Sequence, residues 1–189
     1  MGYALAEAAR DRGAFVTLVT APTELADPVG VAVTNVVTYQ EMRDAVLLEC
    51  GGADALIMAA AVADFSPKNP AQQKIKREGK AIWTVEMESN PDFFSELEPE
   101  VIRVGFAAET ENLLVNARAK LDAKHLHLIA ANDITSEGSG FGSDTNQVTL
   151  LDAEGNHHPL PLLPKYEVGQ QILDRVVELL KKRDEESGA

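Results

Sequence analysis

The feature that most constrains the fold is the alternation of short apolar runs with helical patterns along almost the whole chain. Three runs, Phe15–Thr20, Ala55–Ala60 and Val101–Ala108, are rich in β-branched and small apolar residues, as are strands covered on both faces. Between such runs lie segments with apolar residues three or four apart, for example Asn112–Lys124. Strands that alternate with helices at this spacing predict parallel βαβ units. We therefore expect an α/β fold with a mostly parallel sheet and helices on both faces.

Further elements are predicted between these runs. Thr38 and Glu41 form a T-x-x-E capping box, which predicts a helix that starts there and ends at Gly51. Asn90 is expected to cap a helical turn over residues 91–97, with Pro91 in its first position. Additional strands are predicted at Val31–Val37, Ile82–Val85 and His127–Asp133.

The carboxyl-terminal part of the chain predicts an antiparallel hairpin and a long helix. Gln147–Leu151 and His157–Leu160 flank the turn sequence DAEGN, as in a hairpin. A last helix is predicted over Tyr166–Lys182, with residues 183–189 as a frayed tail. We expect residues 1–182 to form one domain, because neither a long linker nor an internal repeat interrupts the pattern. Since the chain opens in a helix, we also expect this domain to lack the first strand and glycine-rich loop that normally begin a doubly wound fold.

Composition and charge limit the classes of function. The 189 residues are 45% apolar and 25% charged, as in a soluble globular protein. A net charge of −13 argues against nucleic-acid binding, because phosphate contacts need an excess of lysine and arginine. No apolar run approaches the roughly 20 residues of a membrane span. The single cysteine, Cys50, fits a cytoplasmic protein with a buried structural thiol.

The carboxyl ends of the predicted strands mark a candidate binding site, because ligands of parallel sheets bind there. The run Ala55–Ala60 continues through small residues to Asp64. Small residues let a ligand approach the backbone, and a carboxylate at this place can bind a ribose hydroxyl, an amine or a metal ion. A loop salt bridge or a helix cap explains Asp64 equally well.

A lysine pair follows on the carboxyl side of Asp64. Lys74 and Lys76 alternate about Ile75, which predicts an extended segment with both amines on one side. The polar, proline-containing stretch before them is typical of a flap, which could close over a polyphosphate and neutralise its charge. A solvated basic loop is the alternative, and the role of Lys76 stays open.

Other groups are predicted near the same edge of the sheet. The helix start at Asn90–Phe93 offers backbone amides that suit an anion or a base edge. Phe106 could stack on a base, although a core position is more common for phenylalanine. Lys120 and Lys124 share a helix face, where like charges are unfavourable, so both an anion between them and a solvated face are open. The sequence contains no Walker A motif, G-x-S-x-G motif or zinc signature.

The order of these segments carries more information than any one of them. The chain closely resembles phosphopantothenoylcysteine synthetase, the CTP-dependent bacterial ligase of coenzyme A biosynthesis, through the ordered segments AAVADF, KIK, NPD, GFAAET, A-x-x-KL-x-x-K, AND and F-x-SD-x-N. The resemblance extends from Met1 to about Lys181. It implies a Rossmann-like fold, a homodimer, a cytoplasmic location and, in many bacteria, fusion to an upstream flavin-dependent decarboxylase.

The resemblance assigns roles to site residues by position. Met58, Ala59 and Ala60 would contact CTP through their backbone, and Asp64 would hold the nucleotide. Lys74 would be the catalytic flap lysine that bears on the triphosphate. The remaining nucleotide-binding positions would be Asn90, Pro91, Asp92, Phe93, Phe106, Lys120 and Lys124.

The resemblance also implies the reaction. The carboxylate of 4'-phosphopantothenate would attack the α-phosphate of CTP, which releases pyrophosphate and leaves an acyl cytidylate. The amine of L-cysteine would then displace CMP, and Mg²⁺ would hold the phosphates. Family members use an upstream strand, an asparagine and a Ser-Gly-rich loop that this sequence does not contain. We therefore expect this chain alone to bind nucleotide weakly and to turn over poorly.

Two other functions stay open from the residues. A nicotinamide-dependent reductase would use a similar sheet and predicts NADPH binding. A non-catalytic nucleotide-binding module predicts CTP binding without release of pyrophosphate. The choice of CTP over ATP rests on the resemblance alone.

Overall fold

The computed structural model describes residues 1–77, 79, 82–109, 111–133 and 142–188, with residue 133 described by its backbone only. Its helices are α1 Gly2–Asp11, α2 Tyr39–Cys50, α3 Leu113–Ala123 and α4 Lys165–Ser187, with a 3₁₀ turn at Phe93–Glu96. Its strands are β1 Thr17–Thr20, β2 Ala32–Asn35, β3 Ala55–Met58, β4 Phe65–Pro67, β5 Met87–Ser89, β6 Ile102–Glu109, β7 Leu128–Asp133, β8 Thr145–Asn146, β9 Val148–Asp152, β10 His157–Pro159 and β11 Leu163–Pro164.

The central sheet has the strand order β10-β9-β7-β6-β3. Strands β3, β6 and β7 run parallel, whereas β9 pairs antiparallel with both β7 and β10. The predicted α/β class is confirmed, and so is the carboxyl-terminal hairpin, which is formed by β9 and β10. Parallel strands need crossover connections, and the helices α2 and α3 lie on the segments that lead to β3 and β7.

Each face of the sheet carries its own apolar core, because side chains alternate between the faces along a strand. Ile129 and Ala131 of β7 lie in the core that contains the buried residues of α2 and α3. Leu128 and Ala130 of the same strand lie in the other core, with residues of α1 and α4. Burial of both faces explains why β6 and β7 are apolar without alternation in the sequence.

A cleft divides the α/β layer between β1 and β3. Strands β1 and β2 form a separate parallel pair, and β3 is the last strand of the central sheet. Residues of β1 and β3 line a cleft of about 1230 Å³, together with residues of α1, α2 and α4. The sequence predicts β1 and β3 as strands, but it does not predict this separation.

Local boundaries agree with the sequence in some places and differ in others. The Thr38–Glu41 capping box is present and starts α2, as predicted. The predicted strand Ile82–Val85 is wrong: this segment has no strand pairing and its apolar side chains are exposed. The strand of this region is β5, which pairs antiparallel with β4 and so forms a ribbon. Helix α4 continues to Ser187, so most of the segment predicted as a frayed tail is helical.

Two simpler expectations can be compared with the structure. Cys50 is a buried free thiol at the end of α2, as predicted, and burial raises its pKa. In the part of the chain that the structure describes, we find no helix with the length and apolar character needed to cross a bilayer.

Candidate functional site

The candidate site lies where β3 and β6 end and the segment 90–96 meets the last turn of α3. β3 ends at the buried residue Met58, and Ala59 and Ala60 follow as loop residues. These three residues line the end of the cleft between β1 and β3. The predicted strand therefore ends two residues early, which leaves the backbone of Ala59 and Ala60 outside the β3–β6 pairing.

Asn90 joins the turn before β4 to the end of β5. Its backbone N–H donates to the Asp64 carbonyl at 2.8 Å, and its side-chain amide donates to the Ala63 carbonyl at 2.7 Å. The prediction that Asn90 caps a helical turn is wrong, because the turn begins at Phe93 and its cap is Asp92. Through the Asn90 hydrogen bonds, the exposed Asp64 side chain is presented from a turn fixed at two backbone positions.

Asp92 is the residue that caps the following 3₁₀ turn. Its Oδ1 accepts from the Phe94 backbone N–H at 3.2 Å, while its Oδ2 lies 3.1 Å from Lys124 Nζ. Lys124 Nζ also lies 5.1 Å from the centre of the Phe94 ring, in a cation–π contact. The Phe93 ring is buried in the core, so a nucleotide contact from Phe93 would have to use its backbone. Pro91 is exposed beside it.

Lys120 provides the most perturbed cation near this edge. Its Nζ donates to the Phe106 carbonyl at 2.6 Å, which places the half-buried amine beside β6. Desolvation lowers the pKa of Lys120, and the nearby Lys124 lowers it further; Glu109, Asp64 and Asp92 act in the opposite direction. Lys120 therefore lies close enough to Lys124, Asp64 and Asp92 for their charges to act on its pKa, and their common role in one binding site stays a prediction. A bound anion would relieve the repulsion between the two amines.

The flap lysines lie apart from this network in the structure. Lys74 and Lys76 are exposed in a segment without helix or strand, on the connection between β4 and β5. Within the described residues neither amine takes part in a hydrogen bond or an ion pair, whereas Lys68, at the base of the same connection, pairs with Glu86 at 2.9 Å. The Lys74 amine is therefore available for a ligand, and its contact with a triphosphate stays a prediction.

The sequence reasoning did not find the residues of α2 that support this site. The Tyr39 hydroxyl donates to the Pro91 carbonyl, and Arg43 forms a bidentate ion pair with Glu96. Their i, i+4 spacing places both on one face of α2. That spacing is a visible signal, but it does not reveal which segment the face contacts.

Comparisons with known proteins agree on one family. The family described as "DNA/pantothenate metabolism flavoprotein C-terminal domain" matches residues 1–180. The "Coenzyme A biosynthesis bifunctional protein CoaBC" of Bacillus subtilis is 43% identical over 99% of this chain and 47% of the relative. The chain spans about half the length of the curated relatives it matches.

Solved structures give the same result. The crystal structure of the C-terminal domain of a CoaBC protein has a TM-score of 0.79 and 34% identity, over 96% of this chain and 82% of that one. A Cab2 mutant in complex with phosphopantothenate-cysteine has a TM-score of 0.64 over 85% of this chain and 56% of that one. At 19% identity the Cab2 structure supports the fold alone.

Proposed function

Because this chain belongs to the DNA/pantothenate metabolism flavoprotein C-terminal domain family, we propose that it is a phosphopantothenate–cysteine ligase of coenzyme A biosynthesis. The observation that carries this proposal is the 34% identity to the C-terminal domain of a CoaBC protein, over nearly the whole of this chain.

The chemistry we propose uses CTP and proceeds in two steps. First, the 4'-phosphopantothenate carboxylate attacks the α-phosphate of CTP, the bond to the β-phosphate breaks, and pyrophosphate leaves. In the second step, the amine of L-cysteine attacks the acyl carbon of the acyl cytidylate, CMP leaves, and the amine loses a proton as the amide forms. Both steps need charge neutralisation and positioning more than a strong base.

The residues of the candidate site fit these demands. The nucleotide would lie against the backbone of Met58, Ala59 and Ala60, of which Ala59 and Ala60 follow the end of the β3–β6 pairing. Lys120 and Lys124 already carry mutually unfavourable charge, which the triphosphate would neutralise. Lys74 would approach the triphosphate from the flap, where its amine is exposed.

Mg²⁺ would accompany the triphosphate rather than occupy a site built by the protein. Among the described residues no group of three or more histidine, cysteine, aspartate or glutamate side chains could hold a metal ion. Mg²⁺ commonly binds through substrate phosphates and only one or two carboxylates. Asp64 and Asp92, whose charges both act on Lys120, are the carboxylates that would complete its coordination. The ion would supply charge neutralisation at the phosphates.

The biological setting belongs to the same proposal. The matching CoaBC relatives are bifunctional proteins about twice as long as this chain, which supports an upstream flavin-dependent decarboxylase as a fused partner. We further propose a cytoplasmic homodimer whose substrates are 4'-phosphopantothenate, L-cysteine and CTP.

The test is release of pyrophosphate in the presence of phosphopantothenate and cysteine, with CTP compared against ATP. It should be run on this chain and on a form extended at its amino end. In the extended form, Lys74→Gln is expected to lower turnover about a hundredfold or more, as loss of a charge-stabilising group does in other enzymes. Lys68→Gln is the matched control, because Lys68 lies on the same connection and only pairs with Glu86. Equal turnover of Lys74→Gln and the unsubstituted protein would remove Lys74 from the mechanism.

The same assay separates the two alternatives. A non-catalytic nucleotide-binding module would bind CTP without releasing pyrophosphate in either form of the protein. A nicotinamide-dependent reductase would bind NADPH instead of CTP, an outcome that equilibrium binding measurements detect directly.

A further inference from the structure

The segment 90–96 of the candidate site is held from one side by helix α2. At its start, the Tyr39 hydroxyl donates to the Pro91 carbonyl, across 52 residues of sequence. At its end, Arg43 Nε donates to Glu96 at 2.9 Å, within a bidentate ion pair. Since Tyr39 and Arg43 are one helical turn apart, one face of α2 contacts both ends of the segment.

Tyr39 contributes its ring as well as its hydroxyl. The ring lies 6.2 Å from that of the buried Phe93, measured between centroids at an interplanar angle of 53°. Phe93 in turn stacks on Phe94 at 5.8 Å. The hydroxyl is therefore held toward the segment by aromatic packing, which lowers the entropy cost of the hydrogen bond.

The contact is linked to the proposed nucleotide site through the backbone. Pro91, whose carbonyl accepts from Tyr39, lies between Asn90 and Asp92. Asn90 holds the Ala63 and Asp64 carbonyls at 2.7 and 2.8 Å, and Asp92 pairs with Lys124 at 3.1 Å. A shift of the Pro91 carbonyl would therefore displace both Asn90, the partner of Asp64, and Asp92, the partner of Lys124.

We propose that Tyr39 is a positioning residue of the nucleotide site, whose hydroxyl fixes the Asn90–Asp92 segment in the conformation that binds nucleotide. This inference rests on the proposed function. Without the hydroxyl, the segment populates other conformations. The apparent affinity for nucleotide is then reduced in proportion to the fraction of molecules that keep the binding conformation. The bound complex, once formed, keeps the same catalytic groups, so the effect appears in binding rather than in turnover.

The test compares Tyr39→Phe with Tyr166→Phe in the form extended at its amino end, because we expect this chain alone to bind nucleotide weakly. Tyr166 is the matched control, because its hydroxyl also donates a hydrogen bond between elements, to Asp11 at 2.9 Å, from α4 to α1. We expect Tyr39→Phe to raise the Kd of CTP, measured by calorimetry, about two- to tenfold, as the loss of one neutral hydrogen bond does. The KM for CTP should rise by a similar factor with kcat within about twofold, and Tyr166→Phe should match the unsubstituted protein.

Three results would decide the matter. If Tyr39→Phe keeps the CTP affinity of the unsubstituted protein, the positioning role is overturned. A fall in kcat at constant KM also overturns it, because a positioning role in binding does not act on the bound complex. If the form extended at its amino end binds neither CTP nor ATP, the proposed function fails. Hydrogen exchange of the Asn90 and Phe94 amides then still tests whether the Tyr39 hydroxyl fixes this segment. Faster exchange in Tyr39→Phe than in the unsubstituted protein supports this role, and equal exchange overturns it.

Discussion

The pH dependence of folding stability should depend on one histidine at the amino end of β7. The His127 Nδ1 accepts the backbone N–H of Arg103 at 2.9 Å, and the His127 backbone N–H donates to the Arg103 carbonyl at 2.9 Å. The neutral His127 ring thus adds one hydrogen bond to the pairing of β6 with β7, in which its Nδ1 is the acceptor. Desolvation lowers the pKa of His127 from 6.5, the Arg103 guanidinium lowers it further, and Glu154 opposes both.

The sign follows from the direction of this shift. Because the pKa of His127 is lower in the folded protein, the unfolded chain binds more protons below pH 6.5. Stability therefore falls as the pH decreases from 6.5 toward the folded-state pKa. Protonation of Nδ1 replaces an acceptor by a donor and leaves the Arg103 N–H without its partner. For a half-buried pair we expect a cost of about 1–2 kcal/mol, at the lower end of the range for an unsatisfied group.

The assay is urea-induced unfolding at pH 7.5 and pH 5.5, for the unsubstituted protein and for His127→Asn. The asparagine Oδ1 can take the place of Nδ1 as acceptor but does not titrate. We expect the unsubstituted protein to lose about 1 kcal/mol more than His127→Asn between the two pH values, because one group with an unfolded pKa of 6.5 can contribute at most about 1.4 kcal/mol down to pH 5.5. Other titrating groups contribute equally to both proteins, so the difference isolates His127. Identical pH dependence of the two proteins would refute the reasoning.

Two further predictions concern folding stability. Gly105→Ala should lower the free energy of unfolding by about 1–3 kcal/mol, because the added Cβ would lie 2.5 Å from Cδ1 of the buried Leu126. Gly2→Ala is the control, because its Cβ would lie 3.9 Å from its nearest neighbour. In the same urea titration, Gly2→Ala should change the free energy of unfolding by less than about 0.5 kcal/mol. Thr38→Ala should cost about 1 kcal/mol, because it removes the acceptor of the Glu41 N–H at 3.2 Å, and Thr38→Ser should restore the stability. Equal stability of Thr38→Ala and Thr38→Ser would show that the capping box contributes nothing measurable.

The candidate site was partly predictable because its residues follow strand ends. Asp64 comes after a buried strand, and the sheet-edge rule places it near the end of β6 without knowledge of the structure. The i, i+4 spacing of Lys120 and Lys124 likewise predicts a shared helix face. The identity of the proposed nucleotide could not be predicted in this way, because the backbone contacts proposed for Met58–Ala60 would leave no chemical pattern in the sequence.

Other parts of the site were predicted wrongly for a physical reason. Asn90 has the side chain of a helix cap, and local chemistry alone favours that role. In the structure the turn begins at Phe93, so Asp92 caps it, while Asn90 donates to the Ala63 and Asp64 carbonyls. A local capping preference of about 1 kcal/mol does not decide where the turn begins when tertiary contacts hold the preceding residue.

The sequence by itself determined the features that depend on neighbours within a few residues. The α2 capping box, the α3 face and the burial of Cys50 follow from spacing and helical period, and the structure contains all three. Only the tertiary structure decided the cleft between β1 and β3, the Lys120 contact with the Phe106 carbonyl, and the Tyr39 contact with Pro91. These contacts join segments 14 or more residues apart, and their geometry is set by how whole helices pack on the sheet, which no local pattern encodes.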